Sequence, residues 1–207
     1  MSKPTTIASA IKAWEEKHQQ SAAESEEVKL YYQIPPIEKM DNALSTLRNV
    51  KVLSLSTNRI DRISNLGGLE KLELLSLGRN LIKKIEGLEP VANTLRSLWI
   101  SYNSIDKVAG VLCCKRLQCL YMSHNNITSW GEIDKLAELP ELNDVSFIGN
   151  PIETSSPATY KDDLLKRLPG VKKLDGALIG ASSDESAKDD APESTSTPGP
   201  GRPSSTQ

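Results

Sequence analysis

Three cysteines and one histidine lie close enough together to suggest metal or thiol chemistry. Cys113, Cys114 and Cys119 fall within seven positions, and His124 follows five residues later. Zinc sites place several thiolate or imidazole ligands at characteristic spacings, usually in two pairs, and this cluster has no second pair. We therefore predict ordinary reduced thiols, with no metal site and no cofactor.

No other residues in the sequence form a catalytic constellation. His18 is the only other histidine, and neither G-x-x-x-x-G-K-[ST] nor G-x-G-x-x-G occurs. The 25 basic and 27 acidic residues leave a formal charge of -2, which argues against a nucleic-acid binder held by bulk charge. No apolar run is long enough to span a membrane. We expect a soluble, non-enzymatic binding protein.

The elements that must position any functional residue are built from a repeat. The pattern L-x-x-L-x-L-x-x-N-x-I occurs five times, in segments that begin at Val50, Leu72, Leu95, Leu117 and Leu142. The asparagines of these segments are Asn58, Asn80, Asn103, Asn125 and Asn150. Five copies at 22 to 25 residues are the signature of a leucine-rich repeat. They predict an α/β solenoid with one parallel sheet and helical or 3₁₀ return arms.

The spacing of the repeat assigns a side to each residue. Alternate strand residues point inward, so Leu53 and Leu55, or Leu98 and Ile100, should fill the interior. Each asparagine falls where the chain turns away from the strand, and its amide can pair with backbone groups that the turn leaves unsatisfied. The period-three row Ile60, Ile63, Leu66 and Leu69 should bury the return arm.

Atypical segments at the two ends should shield the terminal coils from water. We predict an N-terminal helical cap at 1–36, repeats at 37–150 with one additional partial copy, a C-terminal cap at 151–180 and a disordered tail at 181–207. The N-terminal cap should contain a helix after Pro4 and a second helical stretch around 24–30. Tyr160, Leu164 and Leu168 should share one helical face in the C-terminal cap.

The outward strand positions are the candidate binding surface. Fifteen such positions include seven serines and a single charged residue, Asp144, which is unusual for a hydrated surface. Trp99 and Tyr121 fall in neighbouring coils among small serines, as anchors for a partner would. Alternatively, a terminal segment of the same chain covers this face, or the serines merely suit a curved sheet. The candidate partner-binding residues are Val52, Leu74, Trp99, Tyr121 and Ile148.

A second, weaker candidate is a column of cations near the turns. Arg62, Lys84 and Lys107 each follow an asparagine by four residues and should stack on one edge. Arg59 and Arg79 should lie near the rim of the sheet. Together they would suit an acidic partner surface, whereas a simple solvated edge is the plainer interpretation.

Several segments resemble the light chain 1 family of axonemal outer-arm dynein. These are AIKAWEEK, IPPIEKMDNALSTL, LSLGRN, LWISYNSI and KLAELPELNDVSFIGNPIE, within residues 5 to 176. The resemblance implies a non-catalytic, monomeric subunit that binds a dynein heavy chain at its microtubule-binding stalk tip, with contact to tubulin as a further possibility. It also implies a location in the cytoplasm and cytoskeleton, in the axoneme of a cilium or flagellum.

Two other classes use similar 22-residue repeats and similar caps. One is a regulatory adaptor that holds a protein phosphatase catalytic subunit, and the other is a spliceosomal scaffold that holds an RNA-binding domain. The distinctive segments above favour dynein, and the phosphatase adaptor is the main alternative.

Overall fold

The computed structural model describes residues 3–180 of the 207-residue chain, so the tail predicted at 181–207 lies outside the described residues. The chain winds through successive coils, and each coil contributes one short strand to a single sheet. The strands are β1 (Glu27–Lys29), β2 (Val52–Ser54), β3 (Leu74–Ser76), β4 (Ser97–Trp99), β5 (Cys119–Tyr121), β6 (Asp144–Ser146), β7 (Lys173–Leu174) and β8 (Ala177–Leu178). The first seven are parallel in chain order, and β8 returns antiparallel to β7.

The inward rows of the repeat form one continuous core. Leu53, Leu55, Leu98 and Ile100 are fully buried, and the return-arm row that begins at Ile60 is buried as well. These observations confirm the predicted solenoid. The return arms hold short helical turns, namely 3₁₀ segments at Asn42–Thr46, Glu89–Val91, Ala109–Val111 and Leu136–Glu138, and the helix α2 (Trp130–Lys135).

The buried asparagines join neighbouring coils through hydrogen bonds to the main chain. The Nδ2 atom of Asn80 donates to the carbonyl of Leu77 in its own coil (3.0 Å) and to that of Leu55 in the preceding coil (3.1 Å). Its Oδ1 atom accepts from the backbone N–H of Ile60, at 3.0 Å. The other repeat asparagines have equivalent partners, at Asn58, Asn103, Asn125 and Asn150.

The N-terminal cap is a helix followed by a strand. Helix α1 (Ile7–His18) begins after the N-cap Thr6 and buries Ile11 and Trp14, which confirms the first predicted helix. The second predicted helix, around 24–30, is wrong. A 3₁₀ turn at Ala22–Glu24 is followed by β1.

The strand forms there because the segment has a neighbour to pair with. Val28 and Leu30 point into the core, while Glu27 and Lys29 point out. The backbone N–H groups of Lys51 and Val52 donate to the carbonyl of Glu26. The first coil, whose partial repeat begins at Ile37, therefore takes its strand from Glu27–Lys29, within the segment predicted as the N-terminal cap.

The C-terminal cap closes the last coil with a carboxylate in place of an asparagine. After the short helix α3 (Pro151–Thr154), helix α4 (Tyr160–Arg167) buries Tyr160 and Leu164, as predicted, and Leu168 is buried just beyond the end of the helix. Asp175 accepts from the backbone N–H of Phe147 (2.9 Å) through Oδ1 and from the Tyr160 hydroxyl (2.9 Å) through Oδ2. Burial raises the pKa of Tyr160, which keeps its hydroxyl a donor.

The asparagine bonds yield a stability prediction. Asn80→Ala should lower the free energy of unfolding by about 1–3 kcal/mol, because the buried backbone groups it pairs would lose their partners. Urea unfolding measures the loss. Asn126→Ala is the matched control, since the Asn126 side chain is exposed, and it should change stability by less than about 0.5 kcal/mol. Equal stability of the two variants would contradict this role.

The adjacent cysteines differ in burial, which predicts a difference in reactivity. Cys113 is exposed and Cys114 is buried, with their sulfur atoms 3.7 Å apart. Burial, reinforced by the charge of Cys113, raises the pKa of the Cys114 thiol to about 12. Since the thiolate is the nucleophile, iodoacetamide at pH 8 should alkylate Cys113 first and leave Cys114 unmodified. Peptide mass spectrometry reads the sites, and labelling of Cys114 before Cys113 in the native protein would contradict the burial.

Candidate partner-binding surface

The fifteen outward strand positions form one continuous surface, which we call the outward face. Parallel register places equivalent positions of consecutive strands side by side, so that Ser76, Trp99 and Tyr121 form a row. Within this face Trp99 is 39% exposed and Ile148 is 47% exposed, whereas Val52, Leu74 and Tyr121 are half-buried. The members are Val52, Ser54, Ser56, Leu74, Ser76, Gly78, Ser97, Trp99, Ser101, Cys119, Tyr121, Ser123, Asp144, Ser146 and Ile148.

Trp99 and Tyr121 form a stacked aromatic pair at the centre of the outward face. Their ring centroids are 5.9 Å apart and their planes are inclined by 17°. The indole points out of the coil, as the sequence predicts. Because each ring restricts the rotation of the other, the pair offers a rigid apolar surface that loses little side-chain entropy on binding.

The single charge of the outward face is compensated within the fold. The Oδ2 atom of Asp144 accepts from the Tyr121 hydroxyl at 2.8 Å and lies 3.5 Å from the Nζ atom of Lys173. Burial, followed by the bond to Asp144, raises the pKa of Tyr121, so that its hydroxyl remains a donor. The carboxylate is therefore paired through Oδ2, while its Oδ1 atom is buried and has no hydrogen-bond partner within residues 3–180.

Four of the seven serines of the outward face form two hydroxyl pairs. The hydroxyls of Ser56 and Ser76 are 2.6 Å apart, and those of Ser123 and Ser146 are also 2.6 Å apart. Ser76 and Ser123 are buried. Because each of these hydroxyls already has a hydrogen-bond partner, a protein that covers them displaces fewer hydrogen bonds to water than it would at unpaired hydroxyls. Within residues 3–180, neither terminal segment folds over the exposed aromatic pair.

The predicted cations have different local partners. Nη1 of Arg59 lies 3.8 Å from Glu38, and Nε of Arg62 lies 2.6 Å from Glu86. Arg79 lies over the ring of Tyr102, with its Cζ atom 4.2 Å from the centroid. Lys84 and Lys107 are exposed, and neither forms an ion pair with any residue in the described part of the chain.

The sequence interpretation missed a second aromatic stack beside the outward face. Tyr102 and His124 stack with centroids 4.3 Å apart and planes inclined by 19°. Both residues immediately precede a repeat asparagine, as Arg79 does. Comparing that position between coils would have found this set.

Among residues 3–180, no three His, Cys, Asp or Glu side chains are grouped so that they could hold a metal ion.

Comparison with known proteins identifies the family. The leucine-rich repeat family model matches residues 28–191. The dynein axonemal light chain 1 of Chlamydomonas reinhardtii is 52% identical over 192 residues, which cover 90% of this chain and 97% of that protein. The human protein of the same name is 52% identical over 187 residues, which cover 89% and 98% of the two chains.

A solved structure supports the architecture. A leucine-rich repeat protein of Leptospira interrogans superposes with a TM-score of 0.59 at 24% identity, over 72% of this chain and 36% of that one. At this identity the likeness shows the fold alone. The close relatives, the family model and the geometry agree, and the chain belongs to the leucine-rich repeat family and, within it, to the axonemal dynein light chain 1 family.

Proposed function

We propose that this protein is a non-catalytic regulatory light chain of ciliary outer-arm dynein, which binds a dynein heavy chain through the outward face. The relatives at 52% identity, each named dynein axonemal light chain 1, support a dynein light chain role in the axoneme. The observation that carries the binding surface is the stacked pair of Trp99 and Tyr121 on a face with one compensated charge. Repeat scaffolds generally use such extended surfaces for binding.

The outward face is suited to burial by a protein partner. The indole of Trp99 is exposed to a partner, while Val52 and Leu74 extend apolar surface toward the N-terminal coils. Tryptophan and tyrosine contribute disproportionately at the centres of protein interfaces, where water is excluded around them. The paired serines around the aromatic residues would provide that exclusion at a small desolvation cost.

We propose that the light chain binds the heavy chain at its microtubule-binding stalk tip. A bound light chain changes the motor's affinity for microtubules only if it binds one motor state more tightly than another. The rigid solenoid would change this affinity through steric or electrostatic contact close to the microtubule. ATP hydrolysis is assigned to the heavy chain.

Removing the aromatic pair should abolish heavy-chain binding. The double variant Trp99→Ala with Tyr121→Ala should bind a stalk-tip fragment at least about a hundredfold more weakly, since each anchor at an interface centre contributes about 2 kcal/mol or more. Biolayer interferometry measures the affinity. Trp99→Phe is the control that keeps an aromatic ring and should retain most of the binding, and thermal melting tests whether each variant is folded.

Two results would contradict this proposal. The first is undiminished heavy-chain binding by the folded double variant. The second comes from affinity purification from a ciliary extract and from cytosol, which tests the phosphatase alternative. We expect dynein heavy chain to be recovered from the ciliary extract. Recovery of a phosphatase catalytic subunit, with no heavy chain, would favour the adaptor function instead.

The cation column yields a separate prediction about tubulin. Lys84→Glu with Lys107→Glu should weaken co-sedimentation of the heavy chain–light chain complex with microtubules, most strongly at low salt, because the contact would be electrostatic. Adding Arg62→Glu should weaken it further. Lys161→Glu, an exposed substitution in α4, is the control. Unaltered co-sedimentation across the salt series would show that this cation column does not contact tubulin.

A further inference from the structure

The outward face alone is too small for a stable interface. From β2 to β6 the strands span about 19 Å, and five residues along a strand cover about 16 Å, which gives a flat footprint of roughly 300 Å². Specific protein interfaces bury about 800 Å² on each partner. A heavy-chain segment bound to the outward face must therefore continue over one of the two rims of the sheet.

The rim at the N-terminal ends of the strands carries charges that are already paired. Lys51 lies 2.7 Å from Glu26, and Arg96 lies 4.0 Å from Glu73. Gln118 donates to Glu141 at 2.9 Å. Two of these three carboxylates pair with a cation and the third accepts from an amide, so the charges of this rim already have partners within the fold.

The rim at the opposite, C-terminal ends of the strands has a different composition, and we call it the C-terminal rim. It consists of the residues on either side of the five repeat asparagines and of Gln33, which holds the equivalent position in the first coil. Its members are Tyr32, Ile34, Thr57, Arg59, Arg79, Leu81, Tyr102, Ser104, His124, Asn126, Gly149 and Pro151. None is acidic, and Tyr32, Ile34, Leu81 and Tyr102 are large exposed hydrophobic residues. This rim therefore presents apolar surface and cations.

Three planar side chains form a ladder along the C-terminal rim. The guanidinium of Arg79 lies over Tyr102, and the ring of Tyr102 stacks on His124. His124 in turn lies over Gly149, where a Cβ atom would be 2.3 Å from its Nδ1 atom. The absence of a side chain at Gly149 thus leaves room for the last ring of the ladder.

The backbone of the ladder lies in a conformation that large side chains seldom adopt. Arg79, Tyr102 and His124 have φ values of 55°, 57° and 52°. The left-handed region costs a residue with a Cβ atom about 1–2 kcal/mol, and glycine avoids that cost, as at Gly149. Tyr32 and Thr57 adopt it at the same position of other coils, so the conformation belongs to the turn of the repeat.

We propose that the ladder of Arg79, Tyr102 and His124 binds a carboxylate in the heavy-chain segment that continues from the outward face over the C-terminal rim. The identity of the partner rests on the proposed function. Arg79 forms no ion pair or side-chain hydrogen bond with any residue of the described range 3–180, so the edge of its guanidinium is available. Stacking on Tyr102 holds the guanidinium in place, and its fork of N–H donors matches a carboxylate.

Arg59 is the other arginine on this rim, and its position explains why Arg79 is the anchor. Arg59 has Glu38 at 3.8 Å and no aromatic support. Arg79 has aromatic support and no carboxylate. Because the partner's acidic group would be shielded from water between the rim and the rest of the interface, the contact should be stronger than an exposed ion pair.

The test compares two arginines on opposite rims. Arg79→Gln should weaken binding of a heavy-chain stalk-tip fragment about tenfold at 50 mM NaCl, and the difference should narrow at 500 mM because salt screens the contact. Arg96→Gln is the matched control on the N-terminal rim and should leave the affinity unchanged. Circular dichroism and thermal melting establish that both variants fold.

A second measurement uses a probe that does not depend on the heavy chain. A hexaglutamate peptide added to the full-length protein should shift the NMR signals of the Arg79 guanidinium and of the Tyr102 and His124 rings, and leave the Arg96 guanidinium signal in place. Hexalysine should leave the ladder signals unmoved. Equal shifts at Arg79 and Arg96 would show non-specific charge binding and overturn the site.

The outcomes separate this inference from the proposed function. If the Trp99 and Tyr121 double variant loses heavy-chain binding while Arg79→Gln keeps both its affinity and its salt dependence, the ladder contact is wrong and the docking face stands. If Arg79→Gln weakens binding and the aromatic double variant does not, the ladder contact stands and the assignment of the outward face is wrong.

Discussion

The hydrogen bonds of the buried asparagines are the constraint on which the structure depends. Each amide joins a carbonyl in its own coil to a carbonyl and an N–H group in the coil before it. These main-chain groups lie where the chain leaves the strand, so no neighbouring strand can pair them. Since every coil meets the next through the same three contacts, the coils repeat in one register, and the aliphatic rows align into a single core.

That register also creates the surfaces. Side chains separated by 22 or 23 residues in sequence become neighbours, as Trp99 and Tyr121 do on the outward face. The same geometry brings Tyr102 and His124 together one position before the asparagines. A solenoid of this kind can therefore place one aromatic stack on its sheet and a second on the adjoining turns.

The two rims of the sheet differ in their distribution of charge. Opposite charges pair along the rim at the start of the strands, whereas the C-terminal rim has cations, exposed apolar side chains and no acid. A partner that extends over the second rim meets one ion pair, between Arg59 and Glu38, and the Arg79 guanidinium, which has no ion pair within residues 3–180.

Local period and residue type determined the solenoid, the inward rows and the role of the asparagines, and they also determined the cap helices at Ile7–His18 and Tyr160–Arg167. They did not reveal β1, since three residues around Val28 become a strand only when β2 lies beside them. The use of Asp175 in place of an asparagine and the pairing of Arg62 with Glu86 were equally hidden. Those contacts join residues about one coil apart, so they depend on which rotamers meet across the stack, and only the tertiary structure decides that.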